Sequence, residues 1–222
     1  ETSKNFFKFE MFDSLDNPDF FYKGKLNFNP FYSSLNANIR QFNLFYALDI
    51  NSLIVQLLKS EQLNHKNIDF KLILNAKNIY NNINIKNIKL LSKIQDGLID
   101  IDSSEFVWKD YAGFKIEDSL IFVKNGELYL DGKLFIDIKK HNEIYKYLLT
   151  PKNFRKKIKR VDLNFSFNFD QKSTTLSEIR IDGKLNQNIS LIMNKLIIND
   201  NNLQNKIYLK KLLNKAIKIY AG

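Results

Sequence analysis

Histidine is the first place to look for chemistry, and the chain has two, His65 and His141. Each stands alone in a polar context. A metal centre needs further ligands at compatible spacing, and neither histidine has them nearby in sequence. Carboxylates are more numerous. Asp100 with Asp102, and Asp131 with Asp137, fall on polar faces of predicted strands. Paired carboxylates can share acid and base work when they converge in a pocket; on a strand face they are solvated, and that is the reading adopted. There is no phosphate-binding loop, no nucleophile elbow and no dinucleotide fingerprint. The expectation is a protein that is not an enzyme, with no cofactor and no metal.

The sharpest charged feature is "PKNFRKKIKR", residues 151–160, which crowds Lys152, Arg155, Lys156, Lys157, Lys159 and Arg160 together. A basic run of this kind is drawn to anionic lipid headgroups, at about 1 kcal/mol per cation near the surface. It could also grip nucleic-acid phosphates, or simply be a solvated connection. Nucleic acid is disfavoured because the cations do not alternate with aromatics on a stacking platform. The whole chain is basic, with a formal net charge of +10 over 222 residues. That favours anionic partners, although a text rich in Lys, Asn and Ile is also what AT-rich codons produce. Cysteine is absent, which removes disulfides and thiolate metal sites without settling the compartment. No apolar run reaches the roughly 18 residues of a membrane-spanning helix.

The elements that would position these residues are mostly strands. "VDLNFSFNF" turns Val161, Leu163, Phe165, Phe167 and Phe169 one way and polar residues the other, the pattern of an antiparallel sheet with one covered face. The same alternation runs through "NIDFKLILNA" (with Leu72), "GELYLDGKLFIDI" (with Leu134 and Ile136) and "SEIRIDGKL". Weaker strand patterns occupy 82–91, 97–108, 114–123 and 188–198. "KNGE" at 124–127 predicts a hairpin turn. A unit of glycine, lysine and leucine opens alternating segments at Gly24, Gly132 and Gly183, which are read as kinks or bulges in strands. Helical spacing appears at 51–63, with Asn51 as N-cap and Leu53, Ile54, Leu57 and Leu58 on one face, at 142–150, and in the lysine-rich tail 202–222. Glycine and proline are scarce and no linker divides the chain, so residues 1–222 read as a single domain.

The order of these segments carries a resemblance. A glycine unit and "NPFYSSLNANIRQFNL" precede "NSLIVQLLKSEQLNHKNIDFKLIL"; then come "DGKLFIDIKKHNEIYKYLLTPKNFRKKIKRVDLNFSFNFD" and "IRIDGKL". This resembles the C-terminal region of AsmA-like proteins over roughly residues 20–200. The individual motifs are degenerate, and the likeness rests on their order. It implies a relation in plan to TamB-type bridge-like proteins of the Gram-negative envelope. Such proteins sit in the periplasm, are anchored to the inner membrane by an N-terminal helix, and have sheets curled into an apolar groove. They are implicated in outer-membrane assembly and phospholipid movement, and have no catalytic residues. The chain starts at Glu1 and is read as a fragment whose anchor lies elsewhere.

The expected fold is therefore mainly β with a few helices (α+β): a long curled antiparallel sheet forming a groove, partly covered by helices. The expected function is a non-enzymatic envelope-biogenesis segment that binds or conducts phospholipid. Leu72, Leu134, Ile136, Phe165, Phe167 and Phe169 would contact lipid, and Lys152, Arg155, Lys156, Lys157, Lys159 and Arg160 would meet anionic headgroups or the membrane surface. A structural or protein-interaction module of the envelope without lipid is the alternative, and a basic nucleic-acid-binding protein the second alternative. Lipid identity, direction of transport and oligomeric state are not written in the residue pattern.

Overall fold

Alternation with period two dominates the text, and the structure turns it into one 14-stranded sheet. The computed structural model describes residues 2–3, 6–14, 19–43, 49–101, 103–197 and 202–222. In chain order the strands are β1 (Thr2–Ser3), β2 (Phe6–Phe12), β3 (Phe20–Phe28), β4 (Phe31–Phe42), β5 (Asp69–Ile79), β6 (Asn82–Gln95), β7 (Leu98–Asp100), β8 (Ser104–Trp108), β9 (Ala112–Lys124), β10 (Glu127–Ile138), β11 (Arg160–Asn168), β12 (Ser173–Ile181), β13 (Lys184–Leu185) and β14 (Lys195–Ile197). The helices are α1 (Leu53–Lys59), α2 (His141–Leu148), α3 (Gln187–Met193) and α4 (Asn202–Ala221).

Most neighbours in sequence are neighbours in the sheet, although β8 pairs with β6 and β9 beside β7, and β14 pairs with β12; nearly all pairs are antiparallel. The exception corrects the expected all-antiparallel sheet: β4 and β5 are parallel, from Tyr32 opposite Asp69 to Phe42 opposite Ile79. Parallel strands require a long crossover, and residues 43–68, which include α1, supply it. Three tight turns are Asx-Gly pairs with positive φ: Asp96-Gly97, Asn125-Gly126 and Asp182-Gly183. Gly183 thus sits in a turn between β12 and β13, and is not a kink inside a strand. Gly24 and Gly132 do lie inside strands, for another reason: a Cβ at Gly24 would stand 2.2 Å from the Phe9 ring, and one at Gly132 would stand 3.1 Å from the Phe165 ring. Each glycine makes room for a cross-strand aromatic, and the register shifts between Asp131 and Lys133.

Register sorts the side chains onto two faces. The apolar face carries Leu26, Leu35, Leu72, Leu74, Leu90, Phe114, Ile116, Leu134, Ile136, Leu163, Phe165 and Ile181, among others. Helices cover it in two large clusters, and Tyr147 of α2 packs on Trp108 beside them. Val55 of α1, 1% exposed, packs with Ile94, Ile99, Ile121, Leu128 and Phe169. At the other end α3 and α4 bring Ile189, Met193 and Ala216 onto Leu163, Leu176, Ile179 and Ile181.

Helix phase and identity differ from expectation in two places. In α1 the N-cap is Ser52, whose Oγ accepts from the Val55 N–H at 3.2 Å, not Asn51. Val55 and Leu58 face the sheet, while Leu53 is 79% exposed and Ile54 and Leu57 also face solvent. Segment 188–198 begins as a helix and not as a strand. Asn186 caps it through the Ile189 N–H at 3.1 Å, and Ile189 and Met193, four apart, are buried on one side; only 195–197 remain as strand β14.

Candidate functional site

The expected lipid-contacting residues all fall on the apolar face, but in different surroundings. Leu134 and Phe165 lie against the cluster under α3 and α4. Phe167 and Phe169 lie in the cluster under α1, and Phe169 is 4% exposed, a core residue. Leu72 and Ile136 belong to neither cluster. Four of the six are thus roofed by helices. The uncovered part lies elsewhere, toward the N-terminal strands.

No residue of β2, β3 or β4 belongs to either helix-packed cluster among the described residues. On the apolar face of these strands Phe7, Met11, Phe28 and Phe31 remain exposed, Phe28 at 68%. Between them and β6, Ala37, Leu74 and Ala76 are buried. The exposed apolar side chains thus lie on β2, β3 and the start of β4, and the face closes over Ala37, Leu74 and Ala76. Total exposure agrees with an incomplete cover. The chain presents 14,095 Å² to solvent, where a compact protein of 26.2 kDa would present about 10,600 Å².

The opposite face is polar, and it is this face that encloses space. A hollow of about 880 Å³ is lined by residues from β3 to β10, from Phe21 to Asp137. Six strand spacings separate these strands along the sheet, roughly 29 Å if it were flat, so the sheet bends toward its polar side. The walls include Asn38, Asn75, Lys77, Lys89, Glu105 and Lys115. A second hollow of about 530 Å³, lined by Lys25, Ser34, Asn36 and Lys71 among others, lies on the same face. Alternation in the sequence could not tell which face is concave, because it is symmetric between the two.

The basic run forms a short 3-10 turn, Lys152–Phe154, and an irregular loop leading into β11. Its cations have separate tasks. Arg155 donates from Nε to the Thr150 carbonyl at 2.9 Å. Arg160 pairs with Asp162 at 2.5 Å and lies over the Phe135 ring at 4.7 Å. Lys156 sits 5.0 Å from the Tyr220 ring of α4, and Lys218 of α4 sits 5.6 Å from Phe154. Lys152, Lys156, Lys157 and Lys159 are exposed. Loop and tail helix thus form one basic surface, with Phe154 and Ile158 fixing the loop from beneath.

The residues considered for chemistry do not converge. The His65 Nδ1 accepts from the Asn67 N–H at 3.2 Å, and His141 packs edge-on to Tyr145. Asp131 and Asp137 lie on the polar face, six residues apart on β10; Asp100 is in β7 and Asp102 lies outside the described residues. No group of three potential metal ligands occurs among the described residues. Two carboxylates not singled out in the sequence are better connected. Glu127 accepts from Asn168, Tyr129 and Gln171, and these bonds hold it below the usual carboxylate range. Burial would raise Asp170, but the Lys59 ammonium at 2.5 Å and the Leu128 N–H at 2.9 Å outweigh it and bring its pKa below the usual value. Both brace the β9–β10 and β11–β12 turns against each other, and Asp170 ties α1 to them.

Comparison with protein-family models, with curated proteins and with solved structures finds no match to this chain.

Proposed function

We propose that the chain is a non-enzymatic sheet segment that binds or conducts phospholipid. The acyl chains lie along the apolar face of β2, β3 and β4, and the basic loop 152–160 with α4 rests on an anionic membrane surface. The observation that carries this reading is the unroofed apolar face of β2, β3 and β4, with exposed Phe7, Met11, Phe28 and Phe31 at its margin. Each methylene moved from water onto such a surface contributes about 0.8 kcal/mol. A contiguous exposed apolar patch rimmed by polar residues is what lipid and membrane sites present. The order of segments shared with AsmA-like proteins favours the periplasm as the setting and outer-membrane assembly as the process.

The test is uptake of a fluorescent phospholipid from vesicles of phosphatidylethanolamine and phosphatidylglycerol. Uptake is expected for the native chain and falls severalfold in the Met11→Ser/Phe28→Ser variant, whose changes are at exposed positions. Uptake unaffected by that variant, or absent from the native chain, would overturn the reading.

One observation favours a second reading, a structural module that pairs with other β-segments. Among the described residues β1 pairs with Phe6 and Phe7 of β2 alone, so the rest of that strand offers backbone groups along an edge. Binding of an extended peptide that protects the amides of Lys8–Phe12 from hydrogen exchange would support it.

A further inference from the structure

Leu149 is an apolar side chain in a costly position. It ends α2 with φ 60° and ψ 36°, the left-handed cap that glycine or asparagine normally fills. Among the described residues it is the one apolar residue with positive φ. Its side chain is 79% exposed all the same. Looseness does not explain this, because Leu148 before it and Thr150 after it are buried. The Leu148 carbonyl accepts from Asn214 Nδ2 at 2.5 Å, and Thr150 Oγ1 donates to Asn214 Oδ1 at 2.6 Å. Lys210 Nζ donates to the Tyr147 carbonyl at 2.7 Å. Three bonds to α4 thus hold the end of α2 with Leu149 turned outward. Backbone strain kept at an exposed leucine points to something that covers it.

The helix that holds it is also exposed at this end. The second half of α4 packs on the core through Leu212, Leu213, Ala216 and Ile219. In the turn before, Lys206, Ile207, Tyr208 and Leu209 are all exposed, and four successive residues cover every side of a helix turn. Ile207 stands one turn before Lys210, on the side of α4 that meets the end of α2. Exposed cations share these segments: Lys152, Lys156 and Lys157 on the loop, Lys206 and Lys211 on α4. Residues 149–160 and 202–222 hold no carboxylate. Carboxylates on flanking segments have partners of their own. Glu143 pairs with Lys146 at 2.8 Å, Asp182 accepts from the Lys159 and Arg160 N–H groups at 2.9 Å, and Asp137 and Asp162 flank Arg160 on the polar face. Asp200 lies outside the described residues.

We propose that Leu149 and the turn Lys206–Leu209 of α4 insert together, as an apolar wedge, into the interface of an anionic bilayer. The proposal rests on the reading of the loop and α4 as the membrane-facing surface, and is independent of lipid on the strip. Apolar and aromatic side chains interleaved with lysine are what an interfacial segment carries. The Tyr208 ring sits at headgroup level, and the lysines reach lipid phosphates while their stems stay in the apolar layer. α4 is not apolar enough to cross a membrane, so it lies in the interface. An acidic protein surface would answer the lysines but fits less well. A helix turn bare on every side suits a fluid medium that closes around it, which one rigid partner face does not.

The chain has no cysteine, so single labels test the wedge directly. Leu149→Cys and Tyr208→Cys, each carrying an environment-sensitive NBD dye, are mixed with vesicles of phosphatidylethanolamine and phosphatidylglycerol. Both labels are expected to shift to the blue, brighten about twofold or more and become shielded from iodide. The same dye at Leu53→Cys, an exposed apolar position on α1, is expected to stay in water. In co-sedimentation Leu149→Gly should lose about tenfold in vesicle affinity, yet melt at the native temperature or above, because glycine suits the left-handed cap. Tyr208→Ser/Leu209→Ser, also at exposed positions, should lose as much. Vesicles of phosphatidylcholine alone should bind about tenfold more weakly or worse. Vesicle binding with both labels left in water, or with native affinity in both variants, would overturn the wedge and leave a surface that only rests on the membrane. Equal binding to phosphatidylcholine, or a shift at Leu53 and none at Leu149, would also overturn it. No vesicle binding at all would overturn both the wedge and the membrane-facing reading beneath it.

Discussion

Replacing Asp170 by alanine removes two bonds at once. Its Oδ1 holds the Lys59 ammonium at 2.5 Å, with both side chains about one-fifth exposed. Its Oδ2 accepts from the N–H of Leu128, a residue 0% exposed. The first bond ties α1 to the sheet. The second satisfies the backbone donor of a buried residue, which loses its partner when the carboxylate has gone. A hydrogen bond to a charged group is worth about 1.5–3 kcal/mol, and the half-screened ion pair adds about 1 kcal/mol or less. The expected loss is about 3 kcal/mol, a fall in melting temperature of roughly 6–12 °C for a chain of this size. Asp110→Ala is the control: its contact with Lys140 spans 3.7 Å between well-exposed side chains, and its loss is expected to cost under about 0.5 kcal/mol. Thermal unfolding followed by circular dichroism reads both. The folded pKa of Asp170 lies below its ordinary 3.8. The stabilisation is thus complete above that value and disappears as pH falls through the folded value. Native and Asp170→Ala chains should differ fully at pH 7 and converge in acid. A variant that melts within 1 °C of native at pH 7, or a difference that grows in acid, would refute the reasoning.

Other changes probe separate parts of the fold. Val55→Ala should cost about 1–3 kcal/mol and Leu53→Ala almost nothing, because only Val55 faces the sheet; equal costs in chemical denaturation would reverse the phase of α1. Gly132→Ala should destabilise by about 1–3 kcal/mol, since the added methyl meets Ser119 Cβ at 3.0 Å as well as the Phe165 ring; an unchanged denaturation midpoint would show that the ring yields freely. Asn186→Ala should cost about 0.5–2 kcal/mol through the lost cap of α3, read by loss of protection at the Ile189 amide in hydrogen exchange.

Where one physical signal dominated, the text was easy to read. In β11 the alternation from Val161 to Phe169 is unbroken, and the structure puts all five apolar side chains on one face. The Asn125-Gly126 turn was equally plain, because few other pairs accept two positive φ values. Strand β2 is not legible in sequence, since "FFKFEMF" reads as an apolar run with two charges and lacks turn residues around it. Segment 188–198 misled for another reason: β-branched residues favour a strand locally, yet the Asn186 cap and burial of Ile189 and Met193 under α4 decide for a helix. The parallel β4–β5 pair depends on a crossover path, which no local pattern encodes. Site features followed the same division. That Leu72, Ile136 and Phe165 share a face was legible; which of them the helices roof was not. Tyr147 at the end of α2 and Lys210 of α4 lie 63 positions apart in sequence and become neighbours only through the packing of the two helices.

The most direct measurement is native mass spectrometry of the chain purified without detergent from an envelope-containing lysate. If the uncovered strip holds phospholipid, the native chain carries adducts of phospholipid mass and Met11→Ser/Phe28→Ser largely loses them. A lipid-free native chain, or adducts equally abundant on that variant, would contradict the assignment of the strip as a lipid site.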